Sequence, residues 1–432
     1  MKICVIGTGY VGLVTGVCFA DLGNTVHCVD TDIHKIKKLN YGSIPIFEPG
    51  LEELVKKCYK DKRLIFTTDL KKSVTYSDII FVCVGTPTIK KTNSANLKYI
   101  FKVARDIRKY IKKFKIVIIK STVPVTTGDK IEKILNSKVR RKLFELVSNP
   151  EFLREGEAIH DFKYPDRIII GTENKRVTKI LANLYEPIIK KGAIYFKTSR
   201  RSAELIKYAS NAFLATKISF INELANLCEK IDINTEDIAI GMGLDKRIGG
   251  RFLRTGPAYG GSCFPKDTSA LVSTGKKFKA NLSIVSSVIN SNENRRSLLI
   301  KRIYEIMSYN LKNKIITFLG VTFKANTDDM RMSSSLSMIP NLLRKGAIIR
   351  YCDPSGKKKE FDKYSNVSFY SNVPKACFKS DLIVIHTEWN EFKLLEFKKI
   401  VKKSNFKIYD MRNLYSSKLM KKNKIKYFCI GK

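Results

Sequence analysis

Lys2-Ile3-Cys4-Val5-Ile6-Gly7-Thr8-Gly9-Tyr10-Val11-Gly12 opens the chain, and Thr25-Val26-His27-Cys28-Val29-Asp30 follows shortly after. The first run is short and apolar, as a buried parallel strand requires. Gly7-Thr8-Gly9-Tyr10-Val11-Gly12 is a GxGxxG turn, and Val11–Leu22 has the length of a helix. The second strand ends in an acid. Strand, glycine turn, helix and acid-tipped strand together make a dinucleotide-binding βαβ unit. Its glycines let the backbone approach a pyrophosphate at a helix N-terminus. Asp30 accepts hydrogen bonds from both adenosine ribose hydroxyls and repels a 2′-phosphate, so the expected cofactor is NAD and not NADP. The apolar stretch Val11–Ala20 after Lys2 superficially imitates a leader peptide, but the glycines interrupting it favour the nucleotide loop.

The same alternation continues outward through Ile79–Val84, Ile116–Lys120, Leu146–Ser148 and Ile168–Ile170. From about Ser202 to Arg302 strand-like runs disappear. Ala203–Ile231 is proline-free with apolar residues at helical spacing, and a glycine-rich interruption spans Gly241–Gly261. Lys314–Gly320 then restarts strand and turn, echoing Lys2–Gly7, and runs at Ala347–Cys352, Asp381–His386 and Phe406–Tyr409 follow. The expected fold is α/β: two Rossmann-like, doubly wound parallel-sheet domains joined by a helical central domain with a long connecting helix. The expected boundaries are 1–200 for the cofactor domain, 201–302 for the helical domain and 303–432 for the second Rossmann-like domain.

Composition narrows the class. Of 432 residues 44% are hydrophobic, enough for buried cores, and 80 basic against 40 acidic residues leave a net charge of +40. A charge of that size invites nucleic acid or a membrane surface. The lysines, however, lie in short separate clusters at 35–38, 112–115, 357–359 and 421–426, without an aromatic-interleaved stripe. They read as a solvated surface that helps attract an anionic small molecule, and no nucleic-acid or membrane partner is expected. The ten cysteines form no CxxC pair and no metal-ligand spacing; Cys4, Cys28, Cys83 and Cys352 sit in apolar runs. Buried free thiols, a reducing cytoplasmic compartment and no metal site are expected.

Chemistry concentrates in three places. Gly260-Gly261-Ser262-Cys263-Phe264-Pro265-Lys266-Asp267 presents Cys263 in a turn, with Lys266 near enough in sequence to favour a thiolate. Cys263 reads either as a nucleophile or as an ordinary loop cysteine; beside an NAD site, a nucleophile implies aldehyde oxidation through a thioester. Lys207 and Asn211 stand one helical turn apart, either as surface polar residues or as stabilisers of an oxyanion. Glu151 and Glu155 share a face if Pro150 opens a helix, and would then offer a general base for hydrolysis.

In this order the motifs resemble the UDP-glucose/GDP-mannose dehydrogenase family from Lys2 to about Asn413. They are GTGYVGL at 7–13, VGTP at 84–87, KSTVP at 120–124, SNPEFLREG at 148–156, ELIKYASNAFLATKISFINE at 204–223, GGSCFPKD at 260–267 and FKANTDDMR at 323–331. GGSCFPKD and STVPVTTG differ from the patterns of GDP-mannose and UDP-N-acetylmannosamine oxidisers, so the resemblance implies UDP-glucose as substrate. It implies a four-electron oxidation to UDP-glucuronate through a Cys263 thiohemiacetal and thioester, with two NAD⁺ reduced. Capsule, other glycans and lipid modification stay open as uses of the product.

By the same resemblance Lys207 and Asn211 hold the C6 oxygen, while Thr122, Glu151 and Asp267 position water and move protons. NAD would be held by Gly7, Gly9, Tyr10, Val11, Gly12, Asp30, Lys35, Thr86, Thr122, Glu155 and Arg331. The UDP-sugar would be held by Glu151, Phe152, Leu153, Arg154, Glu155, Lys207, Asn211, Arg254, Tyr259, Gly260, Lys324 and Arg412. Arg247 would reach a neighbouring subunit's site, implying a homodimer. The chain departs from the family pattern at Ala325-Asn326, at Met411 where glycine is common, and at Ala258-Tyr259 before the Gly260-Gly261 pair.

Overall fold

Short Ile- and Val-rich runs form the strands of two sheets in the computed structural model, which describes residues 1–89, 91–137 and 143–432. The chain separates into two compact units, 1–210 with 273–280 and 211–272 with 281–432. The first unit holds β1 (Lys2–Ile6), β2 (Thr25–Val29), β3 (Leu64–Thr67), β4 (Ile79–Val82), a small hairpin of β5 (Thr88–Ile89) and β6 (Ser94–Ala95), β7 (Lys115–Ile119), β8 (Phe144–Ser148), β9 (Arg167–Gly171) and β10 (Ile194–Thr198). Its main sheet runs β10-β9-β8-β7-β4-β1-β2-β3. Alternate residues serve opposite faces: Ile3 and Val5 join one core, Cys4 and Ile6 the other. A strand buried on both faces has no polar side, which explains the continuous apolar runs in the sequence.

Register gathers the loops that follow the strands. Ile6 lies opposite Val29 and Val82, Val82 opposite Ile119, and Ile119 opposite Ser148. The next residues therefore emerge along one edge, fixed by Gly7 N–H to Val29 O at 2.7 Å, Cys83 N–H to Ile6 O at 2.8 Å, Lys120 N–H to Val82 O at 3.0 Å and Asn149 N–H to Ile119 O at 2.9 Å. The strand order reverses between β1 and β4, where an open α/β sheet binds ligands.

The expected wholly parallel sheet is interrupted once. β9 and β10 are parallel to each other, but β9 meets β8 antiparallel at Ser148 and Gly171. Between β8 and β9 the chain forms a helix only over Ala158–Lys163, six residues.

In the second unit β11 (Ile315–Leu319), β12 (Ile348–Cys352), β13 (Val367–Phe369), β14 (Leu382–Ile385), β15 (Lys407–Asp410) and β16 (Lys426–Cys429) form an all-parallel sheet in the order β13-β12-β11-β14-β15-β16. The echo between Lys2–Gly7 and Lys314–Gly320 is structural. Gly7 and Gly320 both have positive φ, +97° and +75°. An acid beyond the second strand then bonds the turn: Thr8 N–H to Asp30 at 2.9 Å, Val321 N–H to Asp353 at 2.8 Å.

Among the described residues 202–302 are free of strands. They carry helices Arg200–Ile231, Thr235–Gly243, Phe264–Lys277 and Ser283–Ile306, the first of 32 residues. No helix among the described residues is long and apolar enough to cross a membrane. All ten cysteines are free thiols. Burial pushes the Cys83 thiol up to about 12, which keeps it an inert hydrophobe.

A Cβ on Gly320 would lie 2.4 Å from Thr387 Cβ, on a backbone that favours glycine. Gly320→Ala should cost about 3 kcal/mol, from left-handed strain plus overpacking. Urea unfolding measures this, and an unchanged midpoint would refute it.

Candidate active site

The cofactor edge of the first unit is built by steric exclusion. A Cβ on Gly12 would stand 1.8 Å from Gly7 O, so the helix Tyr10–Asp21 approaches the turn only because Gly12 has no side chain. A Cβ on Gly9 would meet no protein atom within 4 Å. Gly9 therefore fills no packing role here; its bareness keeps the N-terminus of the helix open. No described side chain caps that end and no acid sits in its first turn, which leaves amide donors and the positive end of the helix dipole for an anion.

Asp30 stands beside this turn, accepting from Thr8 N–H, from the Thr8 hydroxyl at 2.8 Å and from Lys35 Nζ at 3.0 Å. Burial pushes its carboxyl up, but these bonds and the Asp32 N–H outweigh burial and hold it below the ordinary value. An ionised Asp30 suits ribose hydroxyls. Thr86, from the loop after β4, donates to Thr122 O at 2.8 Å and joins that loop to the one after β7. These residues fit NAD. Tyr10 is turned elsewhere: its hydroxyl bonds Glu48 and accepts from Gly156 N–H at 2.7 Å, leaving its backbone at the turn. Val11 packs partly buried against the core beneath.

After β8 the structure corrects one expectation. Pro150 does not open a helix; residues 151–154 have no regular structure and Glu155 lies in a turn, so Glu151 and Glu155 are not helical neighbours. Glu151 instead folds back onto its own loop, accepting from Leu153 N–H at 2.6 Å. Its other oxygen lies 3.0 Å from Lys207 Nζ, both side chains being almost wholly buried. Phe152 faces two cations, Arg167 at 4.1 Å and Lys207 at 5.2 Å from its ring centre. Arg154 is held by Asp161 and Glu157. Sequence reasoning passed over Lys120, which is buried and bonded to Asn149 at 3.1 Å. Burial lowers its ammonium to about 8.

In the second unit Cys263 immediately precedes helix Phe264–Lys277, its carbonyl accepting Asp267 N–H at 2.8 Å. Half-buried, it is unlike the other nine cysteines, all buried. The helix N-terminus favours a thiolate there. Lys266, expected to do so, pairs with Asp267. Asp267 is buried and also accepts from Asn211 Nδ2 at 2.6 Å. Asn211 and Lys207, four residues apart on helix Arg200–Ile231, are both buried, which removes the reading of them as surface polar residues. The glycines before the thiol are required by packing: a Cβ on Gly260 would lie 2.7 Å from Met332 O, and one on Gly261 2.7 Å from the Phe323 ring.

Beside this turn is a pocket whose walls include Gly260 and Phe264, flanking Cys263, together with Arg254, Tyr259, Lys324 and Arg412. Glu388 is its acid, 2.8 Å from Arg412. Three cations against one carboxylate, with aromatic walls, suit a diphosphate that carries a ring. Arg412 is anchored to His386 O at 2.9 Å and Phe323 O at 2.8 Å; burial lowers its guanidinium from the usual value. Arg331 and Arg247 are not drawn into this pocket: each is exposed and bonded to its own neighbour, Asp329 and Asp245.

Also absent from the sequence reading are Asn222, Asn292 and Arg295, buried polar residues behind the 254–260 segment. A signal existed. Val288, Asn292, Arg295, Leu299, Ile303 and Ile306 form the buried stripe of helix Ser283–Ile306, and two of them are polar at core spacing.

Comparison with known proteins divides the chain into three family domains. Residues 1–189 match the NAD binding domain of the UDP-glucose/GDP-mannose dehydrogenase family, 201–294 its central domain and 317–417 its UDP binding domain. A UDP-glucose 6-dehydrogenase of Rhizobium meliloti is 44% identical over 437 residues, covering all of both chains. The chain belongs to the UDP-glucose/GDP-mannose dehydrogenase family. It is an NAD-dependent oxidoreductase. UDP-glucose 6-dehydrogenase TuaD of Bacillus subtilis is 43% identical, covering 100% of this chain and 93% of its own. Among solved structures, a UDP-glucose dehydrogenase of Pyrobaculum islandicum has a TM-score of 0.91 at 33% identity, covering 99% and 97% of the two chains. A UDP-D-ManNAc dehydrogenase of Pyrococcus horikoshii has a TM-score of 0.86 at 26% identity, covering 100% and 99%.

A thiol reagent such as Ellman's should modify one cysteine of the native chain rapidly, and that fast phase should vanish in Cys263→Ser. A fast phase that survives the substitution would show the accessible thiol to be another.

Proposed function

We propose that this member of the family oxidises UDP-glucose to UDP-glucuronate: UDP-glucose + 2 NAD⁺ + H₂O gives UDP-glucuronate + 2 NADH + 3 H⁺. The observation that carries the reading is Cys263, a half-buried thiol at a helix N-terminus, flanked by residues of a cationic, aromatic pocket. The names of the Rhizobium meliloti and Bacillus subtilis relatives support UDP-glucose over other nucleotide sugars.

NAD⁺, when bound, accepts hydride from C6 in each of two oxidations. The chain's residues supply the rest. Lys207 and Asn211 hold the C6 oxygen, and their burial among polar partners keeps them aimed. The Cys263 thiolate adds to the C6 aldehyde as a thiohemiacetal, which becomes a thioester on the second oxidation. Water then attacks the acyl carbon, the C–S bond breaks and the thiolate leaves, with Thr122, Glu151 and Asp267 positioning water and moving protons. A buried ion pair such as Lys207–Glu151 is weak evidence for stability, since desolvation offsets much of the attraction. Its presence supports a chemical role.

On this reading Gly7, Gly9, Gly12, Asp30, Lys35, Thr86, Thr122, Glu155 and Arg331, with the backbone of Tyr10 and Val11, serve NAD. Phe152 to Glu155, Arg254, Tyr259, Gly260, Lys324 and Arg412 serve the UDP-sugar. The free thiols fit a reducing cytoplasmic compartment. Self-association is supported by Phe213, Phe220, Leu227 and Ile231, exposed apolar residues spaced along one stripe of helix Arg200–Ile231. Arg247 is then assigned to the neighbouring subunit's site.

The test is NADH formation at 340 nm with NAD⁺ and UDP-glucose, run beside GDP-mannose and UDP-N-acetylmannosamine. Two NADH per UDP-glucose are expected. Cys263→Ser should abolish turnover yet retain UDP-glucose binding; full turnover in that variant would end the covalent mechanism. Phe220→Asp should shift the sedimenting species to the monomer, and an unchanged mass would remove this stripe from the interface.

A further inference from the structure

The 254–260 segment has no regular secondary structure, yet it contributes Arg254, Thr255, Gly256, Ala258, Tyr259 and Gly260 to the pocket. A segment without a ladder of its own is ordered only if other groups satisfy its backbone. Here buried side chains do so at two residues, taking both polar groups of each. Gly256 N–H donates to Asn222 Oδ1 at 3.0 Å, and Gly256 O accepts from Arg295 Nε at 2.7 Å. Tyr259 N–H donates to Asn292 Oδ1 at 2.8 Å, and Tyr259 O accepts from Asn292 Nδ2 at 3.0 Å. Arg295 also donates to Asn222 O at 3.0 Å and Asn226 Oδ1 at 3.2 Å, so one guanidinium joins the segment to helix Arg200–Ile231.

Between the two clamped residues lies a strained one. Ala258 has φ +144°, a conformation that side-chain-bearing residues rarely adopt. Such a conformation persists only where the surroundings over-determine it. The position of Gly256 matters too: a Cβ there would come within 3.1 Å of Arg412 Nη1, so holding this glycine in place keeps a pocket cation close to the segment.

We infer that Asn292 and Arg295, with Asn222, are positioning residues that hold the 254–260 segment in its pocket-lining form before the UDP-sugar arrives. The inference rests on the proposed substrate and extends it to residues that line no part of the Cys263 turn. Their contribution is preorganisation: the ordering of the segment is completed on folding and does not weaken binding. Asn292 and Arg295 touch the backbone of the segment and are not among the pocket's lining residues, whereas Asn222 lines the pocket as well. Their loss should therefore appear in substrate affinity and leave the chemical steps alone.

The experiment compares the full-length wild type with Asn292→Ala and Arg295→Lys, the second kept as the test if the first fails to fold. Initial rates are measured against UDP-glucose and against NAD⁺, and amide hydrogen exchange is followed over 254–260 with and without saturating UDP-glucose. The expected result is a KM for UDP-glucose raised about tenfold, with kcat within about threefold and KM for NAD⁺ unchanged. Exchange of the segment should be faster in the free variants and slow again with UDP-glucose bound. A merely structural role would lower kcat and disturb both KM values together; that outcome, or an unchanged KM for UDP-glucose with unchanged exchange, overturns the inference. Wild type that makes no NADH from UDP-glucose would overturn the substrate proposal instead. The clamp would then stand or fall on whether exchange over 254–260 in the free variants exceeds that of the free wild type.

Discussion

Everything in the first unit depends on the in-register pairing of β1 with β2 and β4. Because Ile6, Val29 and Val82 end level, Gly7, Asp30 and Cys83 leave the sheet along one edge. A parallel strand has no hairpin partner, so each return must cross a face of the sheet under a helix. That requirement buries both faces and collects the functional loops at the carboxyl edge. The second sheet repeats the solution, its order β13-β12-β11-β14-β15-β16 corresponding to β3-β2-β1-β4-β7-β8 of the first, and Gly320 and Asp353 stand where Gly7 and Asp30 do. The two turns then diverge. Gly9 keeps the first open, whereas Asp353 in the second is buried and bonded to Val321, Ser355 and Lys358.

Charge is used differently in the two units. In the first, Glu151 and Lys207 neutralise each other out of water, and Lys120 is lowered by burial beside them. In the second, Arg254, Lys324 and Arg412 exceed the single Glu388 around the pocket. A balanced pair suits proton handling, and a cationic excess suits a diphosphate. Lysines spread along the chain set the long-range field.

Thiol identity is decided by burial. Ten cysteines share one intrinsic chemistry, yet nine sit in apolar surroundings that raise their thiols or leave them unreachable. Cys263 differs in place: it precedes a helix, and bare glycines before it admit the Phe323–Met332 segment. Asp267 and Asn211 meet one helical turn beyond it.

Local pattern alone determined the parallel α/β architecture, the dinucleotide turn, the acid at Asp30, the long proline-free helix and the echo at Gly320. These rest on neighbours in sequence: a strand's apolar run, a glycine's missing side chain, an acid at a strand's end. Motif order added the family and nominated candidate site residues. Tertiary structure decided what sequence neighbours do not fix. The antiparallel β8–β9 junction is set by register, with Ser148 opposite Gly171. Glu151 found Lys207 in place of Glu155 because Pro150 opened a loop. Lys266 pairs with Asp267, a partner the sequence reading had not assigned it. Asn222, Asn292 and Arg295 became legible only when the backbone they bond was placed, since a polar residue at core spacing announces burial but not its partner. The reason is common to all: a hydrogen bond or ion pair is specified by the meeting of two groups distant in sequence, and only packing brings them within 3 Å.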